Sequence, residues 1–108
     1  MVQQIQSLAE FETFIGTHKL VVVDCYAEWC GPCKLIAPKI EQFSKDYKDI
    51  QFIKVDVDVS EDLSSHLGVT AMPTFFLFHN KEKVGKVIGA NAALLEKEIK
   101  NLLSKFQK

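Results

Sequence analysis

Apolar residues recur along the chain with two periods, and the switches between them predict its elements. Leu8, Phe11 and Ile15 repeat at three and four, the spacing of one face of a short helix. Ser7, with Glu10 three positions on, has the form of a capping box that opens it, and Gly16 is expected to end or fray it. Leu20 to Tyr26 reads as a strand. It is apolar on both faces rather than alternating, as in a central strand covered by helices on each side. After a turn at Ala27 to Gly31, the positions Ile36, Ile40, Phe43 and Tyr47 mark one stripe of a second helix. Pro38 lies inside that helix, where it removes a backbone donor and is expected to produce a kink.

Ile50 to Val57 is the next predicted strand, followed by a helix that Ser60 caps and Gly68 closes. Thr74 to Phe78 and Lys83 to Ile88 flank His79-Asn80-Lys81-Glu82 and predict an antiparallel hairpin whose tip lacks a glycine. From Asn91 a last helix presents Leu95, Ile99, Leu102, Leu103 and Phe106 on one face. Strands alternating with helices, then a hairpin and a helix, imply an α/β protein with a mixed sheet sandwiched by helices.

The 108 residues are one domain's worth, 1–108, and contain no internal repeat, linker or low-complexity segment. Apolar residues at 47% and charged residues at 25% argue against disorder. Thirteen basic against 14 acidic side chains leave a net charge of −1 with no charge block, which argues against a nucleic-acid partner. The longest aliphatic stretch, Leu20 to Val23, stops at Asp24, far short of the ~20 residues that span a bilayer. The first six residues lack the cationic start and apolar core of an export signal, so a cytoplasmic protein is expected. A monomer is the expected state, although no residue pattern decides it.

Cysteine usage narrows the chemistry. Cys25, Cys30 and Cys33 lie within nine residues and the rest of the chain has none, unlike a secreted disulfide scaffold. Zinc needs four ligands, and His18, His66 and His79 are isolated from one another, so no metal site is expected. The remaining reading is a redox-active pair, Cys30 and Cys33, with Cys25 as an extra buried thiol. The order strand, turn, Cys-x-x-Cys, helix puts Cys30 at a helix start, where unpaired amide hydrogens and about half a positive charge favour an anion. Cys33, one turn in, is shielded by the helix, so Cys30 is expected to attack and Cys33 to resolve.

Ionisation alone does not make this fast. Lowering a thiol pKa from ~8.5 to ~7 raises the thiolate fraction at neutral pH from roughly 3% to 50%. The weaker base gives back roughly fivefold in nucleophilicity, for a net gain of about threefold. Positioning of the substrate and proximity of Cys33 must supply the rest. Pro32 restricts the turn and Gly31 permits close approach by a partner chain, although both residues also suit an ordinary turn. Trp29 lies in the turn rather than on a periodic face, which favours the rim of a site over the core.

Taken together these residues resemble the thioredoxin family. The run Val21-Val22-Val23-Asp24-Cys25-Tyr26-Ala27-Glu28-Trp29-Cys30-Gly31-Pro32-Cys33-Lys34 is similar to the family's active-site segment. The resemblance continues through Phe52 to Asp58, Ala71-Met72-Pro73-Thr74-Phe75 and Val87-Ile88-Gly89-Ala90, and covers essentially the whole chain. It implies the thioredoxin fold, a central mixed five-stranded sheet flanked by four helices. By the same resemblance Cys30 matches the exposed nucleophile and Cys33 the resolving thiol. Asp24 matches a buried carboxylate that assists proton transfer at the resolving cysteine. Its apolar neighbours are compatible with desolvation and a raised pKa, the alternative being a strand-end aspartate in solvent.

Lys54 matches the lysine beside that carboxylate, or is an exposed strand lysine. Pro73 matches a cis-proline that exposes the backbone of Met72 for pairing with an extended substrate. Gly89 and Ala90 match the other rim of that groove, and Pro38 the kinking proline. Cys25 stands where the family generally has an aromatic residue; it is either an inert core thiol or an oxidation-sensitive one. The family further implies a protein-disulfide reductase without a bound cofactor, recharged from NADPH by a flavoprotein, thioredoxin reductase. Its clients would be disulfide-containing proteins such as peroxiredoxins. The alternatives are an oxidase or isomerase of the same fold, which usually carries histidine between the cysteines, and a binding module that uses its surface and not its thiols.

Overall fold

The doubly apolar segment Leu20–Tyr26 becomes the middle strand of a five-stranded sheet. The computed structural model describes residues 2–106. In chain order the elements are β1 (Gln3–Gln4), α1 (Leu8–Thr17), β2 (Leu20–Tyr26), α2 (Gly31–Asp46), β3 (Gln51–Asp56), α3 (Glu61–Leu67), β4 (Thr74–His79), β5 (Glu82–Ile88) and α4 (Ala92–Phe106). The strands lie in the order β1-β3-β2-β4-β5. β2 runs parallel to β3 and antiparallel to β4.

Side chains alternate across a strand, so β2 feeds two cores. Leu20 and Val22 pack with Ile36, Ile40 and Phe43 of α2 and Leu95, Ile99 and Leu102 of α4. Val21, Val23 and Cys25 pack on the other face with Phe11 and Ile15 of α1 and Leu63 and Leu67 of α3. With two helices on each face, the sheet is the mixed five-stranded, four-helix arrangement that the resemblance implies. The strand invisible to periodicity is β1, two glutamines long. It is held by pairing with Ile53 and Lys54 and by burial of Val2 and Ile5 on either side of it.

Several boundaries differ from the sequence pattern. Ser7 Oγ accepts from the Glu10 N–H at 3.1 Å as predicted, but α1 runs past Gly16 to Thr17. Thr17 Oγ1 donates to the Thr13 and Phe14 carbonyls there, and the His18 ring stacks on Phe14, so side chains finish the helix in place of glycine. Ser60 caps nothing with its side chain; its Oγ donates to the Gln6 carbonyl at 2.8 Å and ties the start of α3 to β1. Gly68 does close α3, at φ +75. α2 holds Pro38 within its length, where the sequence pattern also puts it. The hairpin loop is shorter than predicted because His79 pairs with Glu82. That leaves Asn80 and Lys81 at φ +47 and +73, the left-handed pair that a two-residue loop demands.

Candidate active site

The turn after β2 delivers Cys30 as the N-cap of α2, with Gly31 and Pro32 as the first helical residues. Proline is tolerated there because its missing N–H would have no partner in the helix. Cys30 and Cys33 form a disulfide with Cα atoms 5.2 Å apart. The Cys33 backbone N–H also donates to Cys30 Sγ at 3.2 Å. Both residues are 5% exposed and cluster with Ala27, against Tyr26, Val57 and Met72. The expected difference in access is therefore not a difference in residue burial in this disulfide form, because the bond holds both sulfurs over the first turn of α2. The asymmetry that remains is positional: Cys30 is the cap, and Cys33 lies inside the helix.

Behind the pair is a cleft of about 200 Å³ lined by Asp24, Tyr26, Cys33, Lys34 and Lys54 among others. Asp24 is 8% exposed, and its Oδ1 has no hydrogen-bond partner. Burial pushes its carboxyl up to about 7, and the positive charge of Lys54, its register partner on β3, pulls the other way. A carboxyl there can take or give a proton at neutral pH. Cys25, the next residue, faces the opposite core. It is fully buried and unpaired, and burial followed by the Asp24 charge pushes its thiol up to about 12. Such a thiol is not a nucleophile at neutral pH.

Trp29 is 69% exposed, on the rim and not in the core. Its Nε1 donates to Asp58 Oδ2 at 2.9 Å, and the Asp58 backbone N–H donates to Asp56 Oδ1 at the same length. Asp58 is a site residue that the sequence reading missed. The two ends of this bond are 29 residues apart and share no local pattern.

On the other rim the Met72–Pro73 peptide bond is cis, and Met72 packs on the cysteine cluster. The Gly89 N–H donates to the Pro73 carbonyl at 2.8 Å, which ties the two loops together, and Ala90 beside it is exposed. Gly89 sits at φ +96 with open space where a Cβ would be, so backbone conformation and not crowding selects glycine. A Cβ at Gly31 would also meet nothing within 4 Å, which leaves that side of the disulfide open to an incoming chain. Val59 and Ile88, next in sequence to Asp58 and Gly89, add exposed apolar side chains that the sequence reading did not single out. Among the described residues no group of three or more metal-ligating side chains comes together.

Comparison with known proteins agrees with this geometry. The family model described as thioredoxin matches residues 2–101. Thioredoxin-1 of Schizosaccharomyces pombe is 54% identical over 100 residues, covering 93% of this chain and 97% of that protein. A solved Plasmodium falciparum thioredoxin superimposes with a TM-score of 0.90 at 44% identity, over 93% of this chain and 98% of its own. A chain from a structure on thiol resolution in a yeast mitochondrial 1-Cys peroxiredoxin via glutathione and thioredoxin systems also gives 0.90. It is 42% identical over 93% of this chain and 94% of that one. With a cysteine pair closed into a disulfide at the head of α2, this chain belongs to the thioredoxin family and is a thiol–disulfide oxidoreductase.

Proposed function

We propose that the chain reduces disulfides in client proteins. The Cys30 thiolate attacks a client disulfide; the client S–S bond breaks, a Cys30–client bond forms, and the departing client sulfur takes up a proton. Cys33 gives its proton to the Asp24 carboxylate and attacks Cys30 Sγ. The second client sulfur leaves and is protonated, and two electrons have passed from the pair to the client. The observation that carries this reading is the capping position of Cys30, whose sulfur receives the Cys33 N–H at the positive end of α2. The shared cleft of Asp24 and Cys33 supports the proton step, with Lys54 biasing the carboxyl.

Trp29, Gly31, Pro32, Met72, Pro73, Gly89 and Ala90 form the groove that receives the client, with the Met72 backbone pairing to an extended segment. Glycine and proline between the cysteines fit the reducing direction. The pair is recharged from NADPH through a separate flavoprotein, thioredoxin reductase. Peroxiredoxins are fitting clients, given the structural neighbour from a peroxiredoxin-resolving system. A monomer in the cytoplasm, where thiols are kept reduced, suits this role.

Cys30→Ser is expected to abolish insulin-disulfide reduction while leaving the circular dichroism spectrum unchanged; full turnover by that variant would sink the thiol mechanism. Cys33→Ser is expected to accumulate client adducts on non-reducing gels, and recovery of none would overturn the division of labour between the sulfurs.

A further inference from the structure

The outer wall of the cleft behind the disulfide contains a contact that the mechanism above does not use. Lys54 Nζ lies 5.8 Å from the centroid of the Tyr26 ring, within cation–π range. The same half-buried ring packs on the Ala27, Cys30 and Cys33 cluster and lines the cleft with Asp24, Cys33 and Lys54. A lysine stem has four rotatable bonds and costs entropy to hold in one place. The ring supplies a surface that keeps the ammonium at the cleft and away from bulk water. We propose that Tyr26 is a positioning residue, its ring holding the Lys54 ammonium beside the Asp24 carboxyl and so coupling the cleft wall to proton handling at Cys33. This rests on the role given to Asp24 above.

The other charged or titratable groups around Asp24 are Lys34 and Glu41 from α2, Glu28 from the turn, and Cys25 and Tyr26 on its own strand, while Cys33 is held in the disulfide. β4 faces it with Phe75. Asp56 and Glu28 act on Tyr26 itself. Because removal of the ring also changes the hydration of Asp24, the informative quantity is a double-mutant cycle.

The Asp24 carboxyl carbon is titrated by NMR in the oxidised full-length protein, with Tyr26→Leu and Tyr26→Phe each made with Lys54 and with Lys54→Met. With Lys54 present, Tyr26→Leu is expected to tighten proton binding at Asp24 by about threefold more than it does with Met at position 54, the scale of a half-exposed cation–π contact. Tyr26→Phe, which keeps the ring, is expected to match the Tyr26 protein in each of the two backgrounds. Equal Tyr26→Leu effects in the two backgrounds, or a Phe variant that behaves like Leu, would overturn the proposal. A measurement without substitution stands behind these: the Lys54 Hε protons are expected upfield of their random-coil position by ring current, and random-coil shifts there would overturn it too. If Asp24 titrates as expected and the pH profile of mixed-disulfide resolution does not follow, the positioning stands and the proton role of Asp24 falls.

Discussion

Asp24 on β2 and Asp56 at the end of β3 are buried to similar degrees, 8% and 5% exposed, on neighbouring parallel strands. Their surroundings differ in one respect. Asp56 Oδ1 accepts the Asp58 N–H, and its backbone carbonyl accepts the Ser60 N–H, so it organises the turn between β3 and α3. Asp24 Oδ1 is buried with no partner, and its carboxyl is pushed up to about 7. Equal burial thus yields two kinds of residue. With donors, a carboxyl is part of the framework; without them, it is held at the edge of ionisation, where proton transfer at neutral pH needs it.

The largest effect expected from this contrast is in stability. The folded state holds the Asp24 proton up to about pH 7, whereas the ordinary value is 3.8, so native stability falls as pH rises between them. Asp24→Asn is expected to stabilise the protein above pH 7 by as much as about 4 kcal/mol, the free energy of a shift of that size, and to do nothing below about pH 4. Urea unfolding at both extremes checks this, and equal gains at each would remove burial of the charge as the cause. Asp56→Ala is expected to have the opposite sign, a loss of about 1–3 kcal/mol in the same assay near pH 8, because the Asp58 N–H loses its acceptor. Destabilisation by both substitutions, or by neither, would break the comparison. The smallest effect tests how far the Asp56 network reaches. Asp58→Ala frees the Trp29 indole and is expected to cost about 1 kcal/mol. The chain has one tryptophan, so a drop in fluorescence anisotropy reports Trp29 alone, and unchanged anisotropy would mean that this bond does not hold the ring.

Much of this was legible in the chain itself. Val21 to Val23 ahead of Asp24 favour a buried acid over one in solvent, and the stripes of α2 and α4 announce the core on one face of the sheet. The placement of Cys30 at a helix start followed from the order of elements around the cysteines. What escaped was non-local. β1 has two polar residues and exists only because β3 pairs with it. Ser60 has the chemistry of a cap but a better acceptor 54 residues away in Gln6. The Trp29–Asp58 bond and the Tyr26–Lys54 contact likewise join residues that only the finished sheet brings together. The matched burial of Cys30 and Cys33 also could not be read from motif order, since it depends on how the closed bond packs under Met72 and Val57.

β2 has one further consequence, as a partition. Asp24 and Cys25 are adjacent in sequence yet project into opposite halves of the molecule, the first toward the reactive pair and the second into sealed hydrocarbon. The thickness of a single strand is what keeps a third sulfur from joining the exchange. Deleting one residue within the preceding valines would trade their places. It would strand a carboxylate in oil, deliver a spare thiol to the disulfide, and turn a clean two-sulfur relay into a scrambler.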